Sequence, residues 1–356
     1  MLDGVRRIGK TSAINKMQAE APPGKLLIYR DLEGLRTPLE FVQRVYKDTE
    51  HYLRLRKRAT ESVREVLRHL QGAEVAGAVR FPDSVARHWK VLLSATIEDL
   101  VAHQEDDVVF LWDELPLMLF NIRESGGEEQ AMELLDALRS LRQTHPDLRM
   151  VLTGSIGLHN VITSLKRAGY PNDPTNDMDL IVVEPLAADA AVDLARQLLA
   201  GEGLTSGDPD EVARTIGEGV DGVPYFIHHV VDRLALRGQV DPAAAQAVID
   251  GALIDPDDRW HLRHYRERMD VYYDERERTC ALGLLDNLAT AGGPIQFDEW
   301  FERLKAQVET DDRETALSTV TLLQRDHYVI REPGGAYRFR LPLLRRFWLL
   351  LRGLGG

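Results

Sequence analysis

One octapeptide near the amino end restricts this chain more than any other feature. Gly4-Val5-Arg6-Arg7-Ile8-Gly9-Lys10-Thr11 fits G-x-x-x-x-G-K-[ST] at every fixed position. The glycines let backbone N–H groups turn inward around a phosphate, and the helix that follows presents its positive end. In that arrangement Lys10 reaches the β- and γ-phosphates and the Thr11 hydroxyl binds Mg²⁺. A loop of this kind should follow a strand. Only Met1, Leu2 and Asp3 precede Gly4, so that strand is expected to be missing and the loop mobile. Either the chain starts at an internal methionine of a longer reading frame, or the sheet lacks this member.

The hydropathy pattern supplies the rest of a sheet. Lys25–Arg30, Val108–Trp112, Arg149–Thr153 and Leu180–Val183 are short apolar runs, continuous rather than alternating. Helical patterns separate them, including Glu128–Thr144 with Leu134, Leu135, Leu138 and Leu141 on one face. This predicts an α/β core, a parallel sheet with helices on both faces, over residues 1–185. Helical regions from Pro38 to about Gln71 and from Asp83 to His103 read as an insertion at about 38–105.

The second run ends in Asp113-Glu114, 103 positions after Lys10. In a phosphate-loop enzyme an Asp at a strand tip holds Mg²⁺ and the neighbouring Glu polarises the attacking water.

Beyond Pro185 the strands stop. Ala187–Gly201, Pro209–Gly219, Pro224–Arg237 and about Pro256–Tyr273 read as helices, a lid over residues 186–274. Three further helices (about 276–290, 297–307 and 312–326) lead into His327–Glu332, Pro333-Gly334-Gly335 and Tyr337–Leu341. Three helices and a hairpin make a winged-helix layout over 275–356. That segment has 12 basic and 12 acidic residues, and its expected recognition helix mixes Arg313 and Arg325 with Asp312, Glu314 and Asp326. It does not read as a major-groove reader. Arg338, Arg340, Arg345, Arg346 and Arg352, with Phe347 and Trp348, form a local basic strip that leaves DNA contact as an alternative.

Composition narrows the class further. The net charge of −13 argues against bulk-electrostatic nucleic-acid binding. The lone cysteine, Cys280, excludes an intrachain disulfide framework and fits a reducing cytoplasm. No run of eighteen apolar residues or secretion signal is evident, so neither a membrane span nor export is expected. Asp173, Thr175, Asp177, Asp179 and Glu184 imitate a calcium loop, but Met178 stands where glycine is needed. The pairs His261/His264 and His228/His229 lack the further ligands of a metal pattern.

Together, Arg6-Arg7-Ile8-Gly9-Lys10-Thr11-Ser12, Asp113-Glu114, Thr153-Gly154-Ser155-Ile156-Gly157-Leu158, Asn176-Asp177, Pro185-Leu186 and Gly222-Val223-Pro224-Tyr225 resemble the archaeal-type ATPases. These are relatives of the STAND signal-transduction ATPases and of origin-recognition AAA+ proteins, and the resemblance spans most of the chain. It implies a phosphate loop from Gly4 to Ser12 and a polar sensor at Thr153 or Ser155 beside the γ-phosphate. Pro224 would lie near the adenine or the lid. No arginine finger follows; Arg123, Arg142 and Arg149 are positional candidates. The expectation is a cytoplasmic, Mg²⁺- and ATP-dependent switch with slow hydrolysis: Lys10 stabilises charge, Thr11 and Asp113 hold the metal, and Glu114 positions water. ATP and ADP are the expected ligands, with a protein partner or self-association as readout. The alternatives are a DNA-associated AAA+ factor and an inactive scaffold of the same fold.

Overall fold

The computed structural model describes residues 1–55, 83–308 and 312–354. The chain forms two compact units. One comprises Met1–Asp3 and Lys10–Val182, the other Gly4–Gly9 and Val183–Gly356.

The first unit runs β1 (Leu2–Asp3), α1 (Lys10–Ala19), β2 (Lys25–Asp31) and α2 (Pro38–Leu55). After a 3₁₀ turn at Asp83–His88 come α3 (Trp89–His103), β3 (Asp107–Asp113), α4 (Leu115–Gly126) and α5 (Glu128–Thr144). β4 (Leu148–Leu152), α6 (Leu158–Arg167) and β5 (Ile181–Val182) complete it. The expected continuation of α2 towards Gln71 lies outside the described residues.

Strands β2, β3 and β4 form one parallel sheet in that order, with Ile28 opposite Phe110 and Phe110 opposite Met150. Their runs are continuously apolar because side chains alternate between two covered faces. Val108, Phe110 and Trp112 enter one cluster, where Phe110 stacks on Trp112 at 4.8 Å and Phe41 meets that indole edge-on at 5.1 Å. Leu27 and Leu111 face the other way, onto Ile14 of α1. Sequence reading left no strand ahead of Gly4, yet Leu2–Asp3 pair in parallel with Ile181–Val182. Two residues are too few for a periodicity to register, which is why β1 escapes a hydropathy reading.

The second unit is mostly helical: α7 (Ala188–Gly201), α8 (Pro209–Gly219), α9 (Pro224–Arg237), α10 (Pro242–Leu253), α11 (His264–Tyr272) and α12 (Glu275–Thr290). Then follow α13 (Phe297–Gln307), α14 (Arg313–Arg325), the antiparallel pair β6 (Val329–Arg331) and β7 (Tyr337–Phe339), and α15 (Pro342–Arg352). Among the described residues, Asp208, Asp241, Asp274 and Asp312 cap helices, accepting from backbone N–H groups of α8, α10, α12 and α14. Asp274 and Glu277 complete a capping box. The helix expected from Pro256 begins only at His264. Before it, Asp258 and His261 have φ of 45° and 53°, and the Asp258 carboxylate takes the N–H groups of Leu262 and Arg263 at 2.8 and 3.0 Å.

Regions 186–274 and 275–356 share one buried apolar cluster, which also holds Val5 and Ile8 of the Gly4–Thr11 motif. A buried polar link joins them as well. Arg268 of α11 donates to Asp326 at 2.9 Å, and the Tyr273 hydroxyl donates to the other oxygen at 2.8 Å. Among the described residues no helix is long and apolar enough to cross a membrane.

Candidate nucleotide site

In the first unit the candidate residues meet at the carboxyl ends of β3 and β4. Asp113 is the last residue of β3 and only 4% exposed. Its carbonyl accepts from Leu32 N at 3.0 Å, which fixes the strand tip. Both carboxylate oxygens are engaged: Oδ2 accepts the Thr11 hydroxyl at 2.6 Å and Oδ1 accepts Glu114 N at 3.0 Å. Lys10, the first residue of α1 and the neighbour of Thr11, is buried. A motif pair separated by most of the sheet is thus brought into direct contact.

Glu114 turns the chain from β3 into α4 with φ of 57°, a left-handed conformation uncommon for a residue with a side chain. Strain of this kind clusters at functional sites. Its carboxylate is held by Ser155, whose N–H donates at 2.9 and 3.0 Å and whose hydroxyl donates at 2.9 Å. Burial pushes the Glu114 carboxyl above the usual carboxylate range, and the Ser155 bonds oppose that shift. Gly154 is required by close approach, since a Cβ there would lie 2.7 Å from Pro116 Cδ and 3.3 Å from Glu114 Oε2.

Sequence reading left Thr153 and Ser155 as alternatives for one polar position. Ser155 is the Glu114 partner. The Thr153 backbone bonds Trp112 O at 3.0 Å and Leu115 N at 3.2 Å, while its hydroxyl is buried without a partner among the described residues.

In the second unit, Gly4–Gly9 is held by Val5 and Ile8, which are 2% and 4% exposed. Gly4 has φ of 147° and a Cβ there would sit 2.6 Å from Val183 O, so only glycine fits. Arg7, with φ of 67°, lays its guanidinium over the Tyr225 ring at 3.8 Å. Burial lowers the pKa of that guanidinium. Pro224 opens α9 at its first position, where its missing N–H costs nothing. Tyr225 is therefore a partner of the Gly4–Gly9 loop, and nothing in its spacing from Arg7 signals this.

The other constellations resolve into structural contacts. Asp177 receives Arg142 through Nε and a terminal nitrogen, each at 2.9 Å, and no metal-ligand cluster occurs among the described residues. His229 Nδ1 accepts the Trp260 indole N–H at 2.9 Å. Cys280 is buried, which raises its thiol pKa. The basic strip is spent within the chain: Arg338 pairs with Glu332, Arg340 with Glu184, Arg346 with Asp250 and Arg352 with Asp286. Arg345 donates to Ala289 O at 2.9 Å.

No protein-family model and no curated protein sequence matches the chain. Among solved structures, a Walker-type ATPase of Pyrococcus abyssi matches with a TM-score of 0.65 at 15% identity, covering 98% of this chain and 89% of that one. The ORC2 protein of Aeropyrum pernix, in its ADPNP–ADP complexes, matches with a TM-score of 0.53 at 13% identity, covering 100% and 88%. The chain therefore has the fold of the archaeal-type AAA+ phosphate-loop ATPases.

Proposed function

We propose that this chain is an ATP-binding, slowly hydrolysing, Mg²⁺-dependent molecular switch. The observation that carries the reading is the 2.6 Å contact between the Thr11 hydroxyl and Asp113 Oδ2. A hydroxyl and a carboxylate oxygen so placed are the hard donors that Mg²⁺ takes, so the residues present fit the ion. The ion when bound supplies positive charge to the phosphate oxygens. The structure of the same fold from Aeropyrum pernix contains ADPNP and ADP, which favours an adenine nucleotide.

In this reading the amides of Gly4–Gly9 and Ser12 bind phosphate oxygens, with Arg6, Arg7 and Ile8 forming the turn between the two glycines. Lys10 offsets charge on the β- and γ-phosphates, and Thr11 and Asp113 hold the metal. Glu114 orients a water and takes its proton as the oxygen attacks the γ-phosphorus and the bond to ADP breaks. Ser155 keeps that carboxylate in place. Pro224 and Tyr225 carry the state of the loop into α9. Residues 1–185 act as the ATPase core, 186–274 as the lid and 275–356 as a winged-helix module that reports nucleotide state to a protein partner or a second copy. The basic strip of that module is neutralised within the chain, which disfavours a DNA-gripping role.

Thermal melting with and without Mg²⁺-ATP tests the proposal. A ligand of the native state raises its apparent stability, so the parent should gain several degrees and Lys10→Ala none. No shift in the parent would leave an inactive scaffold as the reading.

A further inference from the structure

The second unit contains a cavity of about 320 Å³ that the nucleotide reading does not use. It lies along α9 and α10 and the turn after α10. Three guanidiniums line it, Arg233, Arg237 and Arg259, against one carboxylate, Asp255. Arg233 and Arg237 stand one helical turn apart, where like charges repel; neither forms a salt bridge within 4 Å among the described residues, though the Asp255 charge acts on Arg233. This contrasts with the basic strip, where four of the five arginines have a carboxylate partner. Arg259 is tied to Asp257 at 3.2 Å and lies 3.8 Å from Asp255.

His229 adds a fourth donor. Its Nδ1 accepts the Trp260 N–H at 2.9 Å, so a neutral ring carries its proton on Nε2. Val248 and Ala252 of α10 supply an apolar wall. Guanidinium forks match phosphate oxygens two at a time, and a pair one turn apart can serve adjacent phosphates. In a chain of net charge −13, a local excess of cations around an open cavity favours an anion. The volume suits a small molecule.

We propose that this cavity binds the diphosphate group of a small molecule, held by Arg233, Arg237 and Arg259. None of Gly4–Thr11 lines the cavity, although Tyr225, which carries the Arg7 guanidinium on its ring, also donates to the carbonyl of Arg259, so the test below reads the two sites separately.

Calorimetric titration of inorganic pyrophosphate into the full chain tests it. Lys10→Ala should bind within about threefold of the parent. Arg233→Gln/Arg237→Gln should weaken binding at least tenfold, and Arg259→Gln, changed at a half-exposed position, should weaken it by several fold. Melting curves confirm that each variant is folded. Tighter binding of ADP than pyrophosphate by Lys10→Ala supports an organic diphosphate as the source; equal binding supports free pyrophosphate. The proposal is overturned if the parent takes up no pyrophosphate, if Lys10→Ala alone abolishes uptake, or if both arginine variants bind as the parent does. An unchanged melting shift with Mg²⁺-ATP in Arg233→Gln/Arg237→Gln separates this outcome from failure of the nucleotide site.

Discussion

The Thr11 hydroxyl donates to Asp113 Oδ2 at 2.6 Å, joining the first turn of α1 to the tip of β3. The contact predicts a paired effect on stability and on metal-dependent binding. Thr11→Ala removes a hydrogen bond to a charged group, at a cost of about 1–2 kcal/mol in the nucleotide-free chain. It should also raise the Kd for Mg²⁺-ATP at least tenfold, about 1.4 kcal/mol. Thr11→Ser keeps the hydroxyl and should behave as the parent in both respects. Calorimetry with Mg²⁺-ATP and chemical denaturation read the two effects; a serine variant as weak as the alanine one would refute the hydroxyl's role.

Glu114 and Ser155 make a second linked pair. Glu114→Gln should retain ATP within a few-fold of the parent while turnover falls by about 10²-fold or more. The pH profile distinguishes a base from a structural carboxylate. Burial raises the Glu114 pKa, so the acid limb of turnover should lie above the ordinary carboxylate range. Ser155→Ala removes one bond that stabilises the charged form, so it should move that limb to still higher pH. A profile that is unchanged in Ser155→Ala would sever the link between the two residues.

The residues that sequence motifs place well are those whose chemistry is local. Lys10, Thr11, Asp113 and Glu114 lie at helix starts and strand tips that the pattern of apolar runs already marks. Part of what a sequence does not show is very short or decided by distant partners. β1 is two residues long and is defined by pairing with Ile181–Val182. The arginine strip looks like a nucleic-acid surface until its partners are seen, and Arg340 meets Glu184 across 156 positions of chain. Two helices were missed although local signals mark them. α10 follows an Asp241 cap with Pro242 at its first position, and α15 starts likewise on Pro342 with Leu343, Leu344, Phe347 and Trp348 buried. Conversely, the polar Asp255–Arg263 stretch has helical spacing but is turned by the Asp258 side chain.

The buried Arg268–Asp326 pair sets a stability test for the second unit. Asp326 is 2% exposed and accepts from both Arg268 and Tyr273. Asp326→Ala strands a buried guanidinium and should cost about 3–5 kcal/mol. Tyr273→Phe removes one bond and should cost about 1–2 kcal/mol. Urea denaturation of both variants gives the comparison. Because Asp326→Ala also removes the tyrosine bond, equal losses would mean that the ion pair adds nothing to stability.

Asp221 gives the pH test. It sits in the turn before Gly222-Val223-Pro224 with φ of 54°, and its Oδ2 accepts Leu343 N at 2.6 Å, at the start of α15. Burial pushes its carboxyl up to about 6, against the opposing pull of the Leu343 N–H and the charges of Arg346 and Arg338. Between the ordinary aspartate value and about 6, the folded chain therefore holds more of this proton than the unfolded chain does. Stability contributed here is present at low pH and falls as pH rises through that window, levelling above it. The loss is about 2–3 kcal/mol at most, at roughly 1.4 kcal/mol per unit. Asp221→Asn keeps an acceptor for Leu343 N–H, tolerates the left-handed backbone and carries no titrating proton. Its melting temperature relative to the parent should thus rise from pH 5 to pH 7.5. Asp221→Ala loses the acceptor and should melt below Asp221→Asn at both values. A difference between parent and Asp221→Asn that stays constant with pH would show that this carboxyl does not titrate in the window, and that the contact with α15 is held by the charged form throughout.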